Sequence, residues 1–467
     1  MASTSNAPTS LSEKLKSAGQ SHLLNFWGEL DSDQQQQLAD QIEALDFQLI
    51  QKLYAGDDKQ QDWGELASKA QLPPAITLDQ LNGEEYEAAV SAGEAAIGNG
   101  EVAMILVAGG QGSRLGFDHP KGMFPIGPIS NSTLYEIILQ KTLARANQFN
   151  SIIPLYIMTS PPTHDESNQF LTENDFFGYG ADNVQLFCQG VMPAVDQNGK
   201  LLLAEKHSIF VSPDGHGGTL AALDRCGCLN DMKQRGIKHV FYGQVDNPLI
   251  QVCDPALIGY HILRQSEMTS QVVRKNDPIQ KVGNVVEIDG QVQIIEYSDL
   301  PEEYARQTND DGELKLWAGS IAVHIFDVAF LNRSNANADS LPFHRASKKV
   351  PFVDADGNSV EPDSPNATKF EKFIFDLLPS AKNAIICEVA AADGFCAVKN
   401  APPATSETPE HVRQAISDLH SRWLKSNGVS VADGVTVEIN ALFAVDAKQL
   451  AQQKIELKEV TKDTYFA

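Results

Sequence analysis

The chain has 467 residues, of which 42% are hydrophobic, enough for two or three domains with ordinary cores. Its 61 acidic side chains outweigh 36 basic ones, for a formal net charge of -25, which argues against a nucleic-acid partner, since phosphate backbones need clustered Lys and Arg. No apolar run reaches membrane-spanning length, so no membrane partner is expected.

From residue 9 to about residue 97 the leucines and isoleucines (Leu11, Leu15, Leu23, Leu38, Ile42, Leu49, Leu53) recur at helical spacing, predicting a helical N-terminal segment. The apolar run Val102–Val107 then reads as a buried strand. It empties into Ala108-Gly-Gly-Gln-Gly-Ser-Arg-Leu-Gly116, followed by Pro120-Lys-Gly-Met123. Glycines carry no Cβ, so such a loop can bring backbone N–H groups close to a phosphate. Arg114 and Lys121 place two cations beside it. The bland alternative is a structural turn in an α/β domain. Two other phosphate loops fit worse. A P-loop needs G-x-x-x-x-G-K-[ST], and Lys121 is followed by Gly122 and Met123. A dinucleotide loop needs G-x-G-x-x-G and an acidic residue at the next strand's end. Here Gly110, Gly112 and Gly116 are spaced differently, and the acidic residue at the right distance, Glu136, lies in a helical pattern over Ser132–Ala146.

Further strands are predicted at Leu155–Thr159, Val184–Gln189 and Val240–Val245, and a hairpin over Val285–Ile295 with Asp289-Gly290 at its turn. Alternation of strands and helices favours an α/β fold with a mostly parallel sheet and helices on both faces. Ligands in such sheets bind beyond the carboxyl ends of strands, where the glycine loop and Asp246 both stand. Asp246 is placed to be a hard oxygen ligand for Mg²⁺ beside a triphosphate, or else to cap a turn with Asn247 and Pro248. After Val398 the prolines Pro402, Pro403 and Pro409 mark a connection, then come a helix (His411–Lys425) and short β-like runs. The expected division is 1–97, a helical segment; 98–400, the catalytic domain; and 401–467, a small β-rich C-terminal domain. The six cysteines form no C-x-x-C pair and read as free thiols, and the first residues lack a basic region followed by an apolar core, so a cytosolic location is expected.

The glycine loop with Pro120-Lys-Gly-Met123 resembles the eukaryotic-type UDP-sugar pyrophosphorylases, most closely their N-acetylhexosamine branch. The resemblance continues through Gln189-Gly-Val-Met-Pro-Ala194, Pro213-Asp-Gly-His-Gly-Gly218, Gln244-Val-Asp-Asn247, Ile295-Glu-Tyr-Ser298, Pro365-Asn-Ala-Thr-Lys-Phe370 and Val398-Lys-Asn400. It implies a Rossmann-like nucleotidyltransferase sheet, the substrates UTP and a hexose 1-phosphate, the products UDP-sugar and pyrophosphate, and Mg²⁺ as cofactor. It places the Ala108, Gly109 and Gly110 backbone on the nucleotide, and Gln189 and Gly215 on uracil. Arg114 would hold the departing pyrophosphate, and Lys121 the phosphates at the reacting centre. Lys369 and Lys399 match lysines that approach phosphate, while Lys372 reads as a solvated helix charge. Gly283, Glu296 and Tyr297 match sugar-contacting positions.

The chain departs from that branch at His216, where the branch carries Asn. It departs again in Trp317-Ala-Gly-Ser-Ile-Ala-Val-His324, where Trp317, Ser320 and Val323 replace asparagines. Lost amides remove hydrogen bonds that could recognise an acetamido group, so glucose or galactose 1-phosphate stands as the alternative to N-acetylglucosamine 1-phosphate. His216 is expected to contact a sugar hydroxyl, since the attacking phosphate is already ionised and needs no base. A nicotinamide-dependent dehydrogenase and a non-catalytic UDP-sugar-binding protein are the rival readings.

Overall fold

The computed structural model describes residues 7–56, 62–336 and 341–467. The chain forms two compact units that interleave along the sequence: the first holds Met1–Asp62, Gly190–Gly218 and Ser340–Ile374, the second Trp63–Gln189, Thr219–Asp339 and Phe375–Ala467. These boundaries do not follow the division expected at 97/98 and 400/401, which falls inside the second unit. Pairing between residues far apart in sequence sets them, and such pairing leaves no local composition change.

The second unit is built on a ten-stranded mixed sheet. In chain order its strands are β1 (Ala75–Ile76), β2 (Val102–Val107), β3 (Leu155–Thr159), β4 (Val184–Cys188), β5 (His239–Gln244), β6 (Met268–Arg274), β7 (Gly283–Ile288), β8 (Gln291–Ile295), β9 (Ala318–Asp327) and β10 (Ile385–Glu388). Their spatial order is β1-β10-β6-β9-β5-β2-β3-β4, and the β7–β8 hairpin joins through β9. The run β5-β2-β3-β4 is parallel. Strand β9 is antiparallel to both β5 and β6, which makes the sheet mixed. Every residue of β2 and β3 is buried, as expected of parallel strands covered on both faces.

The helices obey local signals. Leu134–Gln148 starts at Thr133, whose hydroxyl accepts the Glu136 N–H, a side-chain cap for an otherwise unpaired donor. Gly83–Gly98 and Pro255–Leu263 meet where Gly93 faces the Pro255 carbonyl and Gly259 the Ala89 carbonyl; a Cβ at either would overlap backbone. The helix Pro409–Ser426 and the short strands Ser430–Val431, Val437–Ile439, Glu459–Val460 and Thr464–Phe466 enclose their own apolar cluster, including Leu424, Val437, Leu450 and Val460.

In the first unit, the helices Thr9–Ser17, Ser32–Ala44 and Phe47–Ala55 bury Leu11, Leu15, Leu38, Ile42, Ile50 and Leu53 against Val195, Leu201, Ile209 and Phe370. A three-stranded sheet orders His344–Lys348, Ala367–Glu371 and Val195–Asp196. Among the described residues, no helix is long and apolar enough to cross a membrane.

Candidate active site

Strands β2 and β5 run parallel in register, with Val107 beside Gln244. One residue further on, Val245 donates to the Val107 carbonyl at 3.0 Å. The two chains leaving these strands are therefore neighbours: the glycine loop from β2 and Asp246 from β5. The loop closes on itself through Lys121 N–H to the Gly110 carbonyl (3.0 Å) and Gly112 N–H to the His119 carbonyl (2.9 Å). That folding carries Lys121, distant in sequence, back to Asp246, where its Nζ stands 3.1 Å from Oδ2. Both side chains are largely buried, at 12% and 22% exposure, so the pair is little screened by solvent.

The loop contains two single 3-10 turns, Ser113–Leu115 and Lys121–Met123, and the next α-helix begins only at Leu134. A dinucleotide fingerprint opens directly into a helix, so the geometry departs from it as the glycine spacing does. An added Cβ at Gly110 would meet nothing within 4 Å, so that backbone is open to an approaching ligand. Gly109 is anchored through its carbonyl, which accepts from Ser160 Oγ at 2.6 Å. Gln189 is buried, its N–H donates to the Thr159 carbonyl (2.9 Å), and its Nε2 lies 3.3 Å from where a Cβ on Gly109 would stand. Ala108, Gly109, Gly110 and Gln189 are thus brought together.

Lys399 arrives on a third segment. Val398 N–H donates to the Asp246 carbonyl (2.9 Å), and Ala401 N–H to the Arg114 carbonyl (3.0 Å), so Lys399 is held between two residues tied to the Asp246 turn and the glycine loop. Its Nζ is 2.9 Å from Glu407 Oε1. Arg114 is exposed and makes no ion pair with the described residues.

The expected sugar-contacting residues fall into a second group. Gly283 and Ser320 are register partners in β7 and β9. A Cβ on Gly283 would lie 3.2 Å from Glu296 Oε1 and 3.8 Å from the Ser320 Cβ, so these three residues line one spot. Tyr297 is exposed at 46%. Trp317 and Val323, the other two departures singled out from the sequence, are not among the three nearest neighbours of a Cβ at Gly283. Trp317 is buried, with the Arg274 guanidinium 4.3 Å above its ring, and Val323 is core. Of the three departures, only Ser320 sits beside Gly283.

In the first unit, Gly215 has φ +84°, and an added Cβ would stand 2.4 Å from the Lys372 carbonyl oxygen. His216 Nδ1 accepts the Ile374 N–H at 3.1 Å, which puts the ring proton on Nε2. Burial, with a smaller push from His344, lowers its pKa to about 4, so the ring is neutral at pH 7. Phe373 packs between His216 and His344, with centroids at 5.2 and 4.5 Å, a partner that no sequence pattern announced. Lys369 lies in the middle strand of the three-stranded sheet, 5.0 Å from the Phe210 ring centroid, and burial lowers its pKa. Lys372 is not a helix residue, contrary to expectation: it follows the strand Ala367–Glu371, and its Nζ stands 4.6 Å from the Phe343 ring centroid.

Sequence reasoning missed Ser160 and Asn247. Asn247 is buried, donates through Nδ2 to the Gly394 carbonyl (2.9 Å) and accepts the Cys396 N–H on Oδ1 (3.0 Å). An asparagine before Pro248 reads from sequence as turn chemistry, and nothing local marks such distant partners.

Residues 47–407 match the family described as UTP--glucose-1-phosphate uridylyltransferase. A UDP-N-acetylglucosamine pyrophosphorylase from Saccharomyces cerevisiae is 34% identical over 455 residues, 94% of this chain and 95% of that one. A mouse (Mus musculus) UDP-N-acetylhexosamine pyrophosphorylase-like protein 1 is 36% identical over 439 residues, 90% of this chain and 86% of that one. Among solved structures, the uridine diphosphate N-acetylglucosamine pyrophosphorylase of Trypanosoma brucei superposes with a TM-score of 0.80 at 26% identity, covering 96% of this chain and 95% of that one.

Proposed function

The chain belongs to the UTP--glucose-1-phosphate uridylyltransferase family of nucleotidyltransferases, and on that premise we propose that it makes UDP-N-acetylglucosamine and pyrophosphate from UTP and N-acetylglucosamine 1-phosphate. The observation that carries the reading is the meeting of the open glycine loop, Lys121 and Asp246 at the carboxyl ends of β2 and β5, with Lys121 Nζ 3.1 Å from Asp246 Oδ2. The sugar preference rests on the names of the relatives.

The reaction joins a phosphate oxygen of the sugar 1-phosphate to the α-phosphorus of UTP. The bond from that phosphorus to the oxygen bridging it to the β-phosphate breaks, and pyrophosphate leaves with the electron pair. No general base is required, because the attacking phosphate is an anion. The protein's work is positioning and charge stabilisation, by analogy with phosphoryl transfer. The Gly109 and Gly110 amides would take up nucleotide phosphate oxygens, the Ala108 N–H being already bonded to the Met158 carbonyl at 2.8 Å. Lys121 would take the oxygens at the reacting phosphorus, and the exposed Arg114 the departing pyrophosphate. Lys399 would add a cation near the same point. Glu296 would accept hydrogen bonds from sugar hydroxyls beside Gly283 and Ser320. The roles proposed for Gly215, His216, Lys369 and Tyr297 rest on the family resemblance.

Asp246 fits Mg²⁺ only with substrate as co-ligand. The described residues hold no group of three or more His, Cys, Asp or Glu side chains able to form a cage, and Mg²⁺ is usually bound by one or two carboxylates plus phosphate oxygens. When bound, the ion would neutralise phosphate charge. The six free cysteines support a cytosolic location.

The test is pyrophosphate release on mixing UTP, Mg²⁺ and each of four sugar 1-phosphates: N-acetylglucosamine, N-acetylgalactosamine, glucose and galactose. The expected result is release with the highest kcat/KM for N-acetylglucosamine 1-phosphate. Preference for glucose 1-phosphate overturns the sugar assignment, and no release with any of the four overturns the enzymatic reading.

A further inference from the structure

The turn that carries Asp246 is fastened from behind. Lys141, on the helix Leu134–Gln148, donates to the carbonyls of Pro248 at 2.5 Å and Ile250 at 3.2 Å. The same turn is held on its other flank by Asn247, through Gly394 and Cys396, and is closed internally by Ile250 N–H to the Asn247 carbonyl at 3.2 Å. The remaining side of Lys141 lines a cavity of about 30 Å³, shared with Gln140, His420, Glu438, Asn440 and Tyr465 and roomy enough for ordered water.

Lys141 makes no ion pair among the described residues, and its two bonds go to carbonyls of this one turn. Burial, reinforced by the Arg145 charge, lowers its pKa to about 7. Burying an ammonium without a counter-ion is unfavourable. Leucine or methionine would fill the same space without that penalty, so packing alone does not account for a lysine here.

We infer that Lys141 is a positioning residue for uridylyl transfer: by gripping the Pro248 and Ile250 carbonyls, it fixes where the Asp246 carboxylate stands and, through the 3.1 Å contact, where Lys121 presents its ammonium. The inference rests on the functional reading above. Neither carbonyl belongs to a residue that touches substrate in that reading. The effect should therefore fall on the rate of the chemical step and leave nucleotide binding alone, because misplacement by about 1 Å can lower a rate by about 10²-fold.

Lys141→Gln and Lys141→Arg, assayed beside the native protein with UTP, Mg²⁺ and N-acetylglucosamine 1-phosphate, test this. Glutamine offers one short donor group where lysine reaches two carbonyls, whereas arginine keeps a long multiple donor. For folded Lys141→Gln, kcat should drop about tenfold or more with KM for UTP within about twofold, and Lys141→Arg should recover most of the loss. Native kcat in folded Lys141→Gln, or a loss that tracks only the unfolded fraction seen by circular dichroism, overturns the inference. If Lys141→Gln does not fold, Lys141→Arg decides: folded with kcat near native it supports the grip, folded and inactive it overturns it. An inactive native protein would overturn the functional reading itself, and this inference with it.

Discussion

Two glycine-rich loops, Ala108–Lys121 in one unit and Pro213–Gly218 in the other, look alike in sequence and are built for opposite ends. In the first, a Cβ added at Gly110 would meet nothing within 4 Å, and at Gly116 it would meet nothing but sit at φ +68°, while Gly112 is packed within the loop on Phe117 at 2.7 Å. In the second, a Cβ at Gly215 would stand 2.4 Å from the Lys372 carbonyl oxygen, at Gly217 2.6 Å from the Lys372 carbonyl carbon, and at Gly218 2.2 Å from Asp214 Oδ1. The open loop leaves the backbone at Gly110 accessible to a ligand, although much of the rest of it is bonded within the protein. The packed loop spends its glycines on docking against the residues after the strand Ala367–Glu371, with Lys372 N–H on the Asp214 carbonyl and Gly217 N–H on the Lys372 carbonyl, both 2.8 Å. Glycine content alone does not separate a ligand cradle from a packing contact; what surrounds each missing Cβ does.

This contrast can be broken by substitution. The largest effect is expected at the open loop's cation: Lys121→Ala should cut turnover about 10²–10³-fold while the unfolding midpoint stays within a few degrees. Loss of folding together with activity would make Lys121 a structural residue. In the packed loop the pattern should invert. Gly215→Ala forces a side chain into φ +84° and against backbone, and should destabilise by roughly 3 kcal/mol in denaturant unfolding. A native-like midpoint would show that the loop can relax, and would erase the distinction.

Acid should separate the loops further. His216 in the packed loop has a folded pKa of about 4, below its ordinary 6.5. Between those values the unfolded chain binds more protons than the folded one. Its contribution to stability is therefore complete above pH 6.5 and is lost as pH falls toward 4. Protonation at Nδ1 also ends its acceptance of the Ile374 N–H. NMR titration of the His216 ring should show it neutral at pH 5.5; a midpoint near 6.5 would contradict the burial argument.

The smaller effects sharpen the picture. Gly110→Ala should leave stability within about 0.5 kcal/mol and raise KM for UTP roughly tenfold, about 1.4 kcal/mol of lost binding. Ser320→Asn, beside Gly283 and Glu296, should move the kcat/KM ratio toward N-acetylglucosamine 1-phosphate by a few-fold to about tenfold. An unchanged ratio would remove Ser320 from sugar recognition.

Much of this is legible in the amino-acid sequence. The runs Val102–Val107 and Leu155–Thr159 have the bounds their hydrophobicity announced, because strands covered on both faces read as near-continuous apolar runs. The Asp289-Gly290 turn announced the β7–β8 hairpin. The glycine loop and Asp246 could be placed at strand ends from sequence, but their meeting could not. It requires β5 to lie against β2, a pairing between segments more than a hundred residues apart that no local pattern encodes. The same holds for β9, inserted antiparallel between β5 and β6, and for the segments 190–218 and 340–374 that join the N-terminal helices in one unit. Trp317 and Val323 stand out in the sequence with Ser320 because all three occupy positions where the resembled branch carries asparagine. Burial shows one to be a partner of Arg274 and the other core.

The most direct measurement follows the phosphorus atoms. UTP labelled at the α-phosphorus, incubated with N-acetylglucosamine 1-phosphate and Mg²⁺, should place its label in the UDP-sugar, while UTP labelled at the γ-phosphorus should place it in pyrophosphate. A γ-label found on the sugar product, or an α-label that never leaves UTP, would contradict transfer of the uridylyl group at this site.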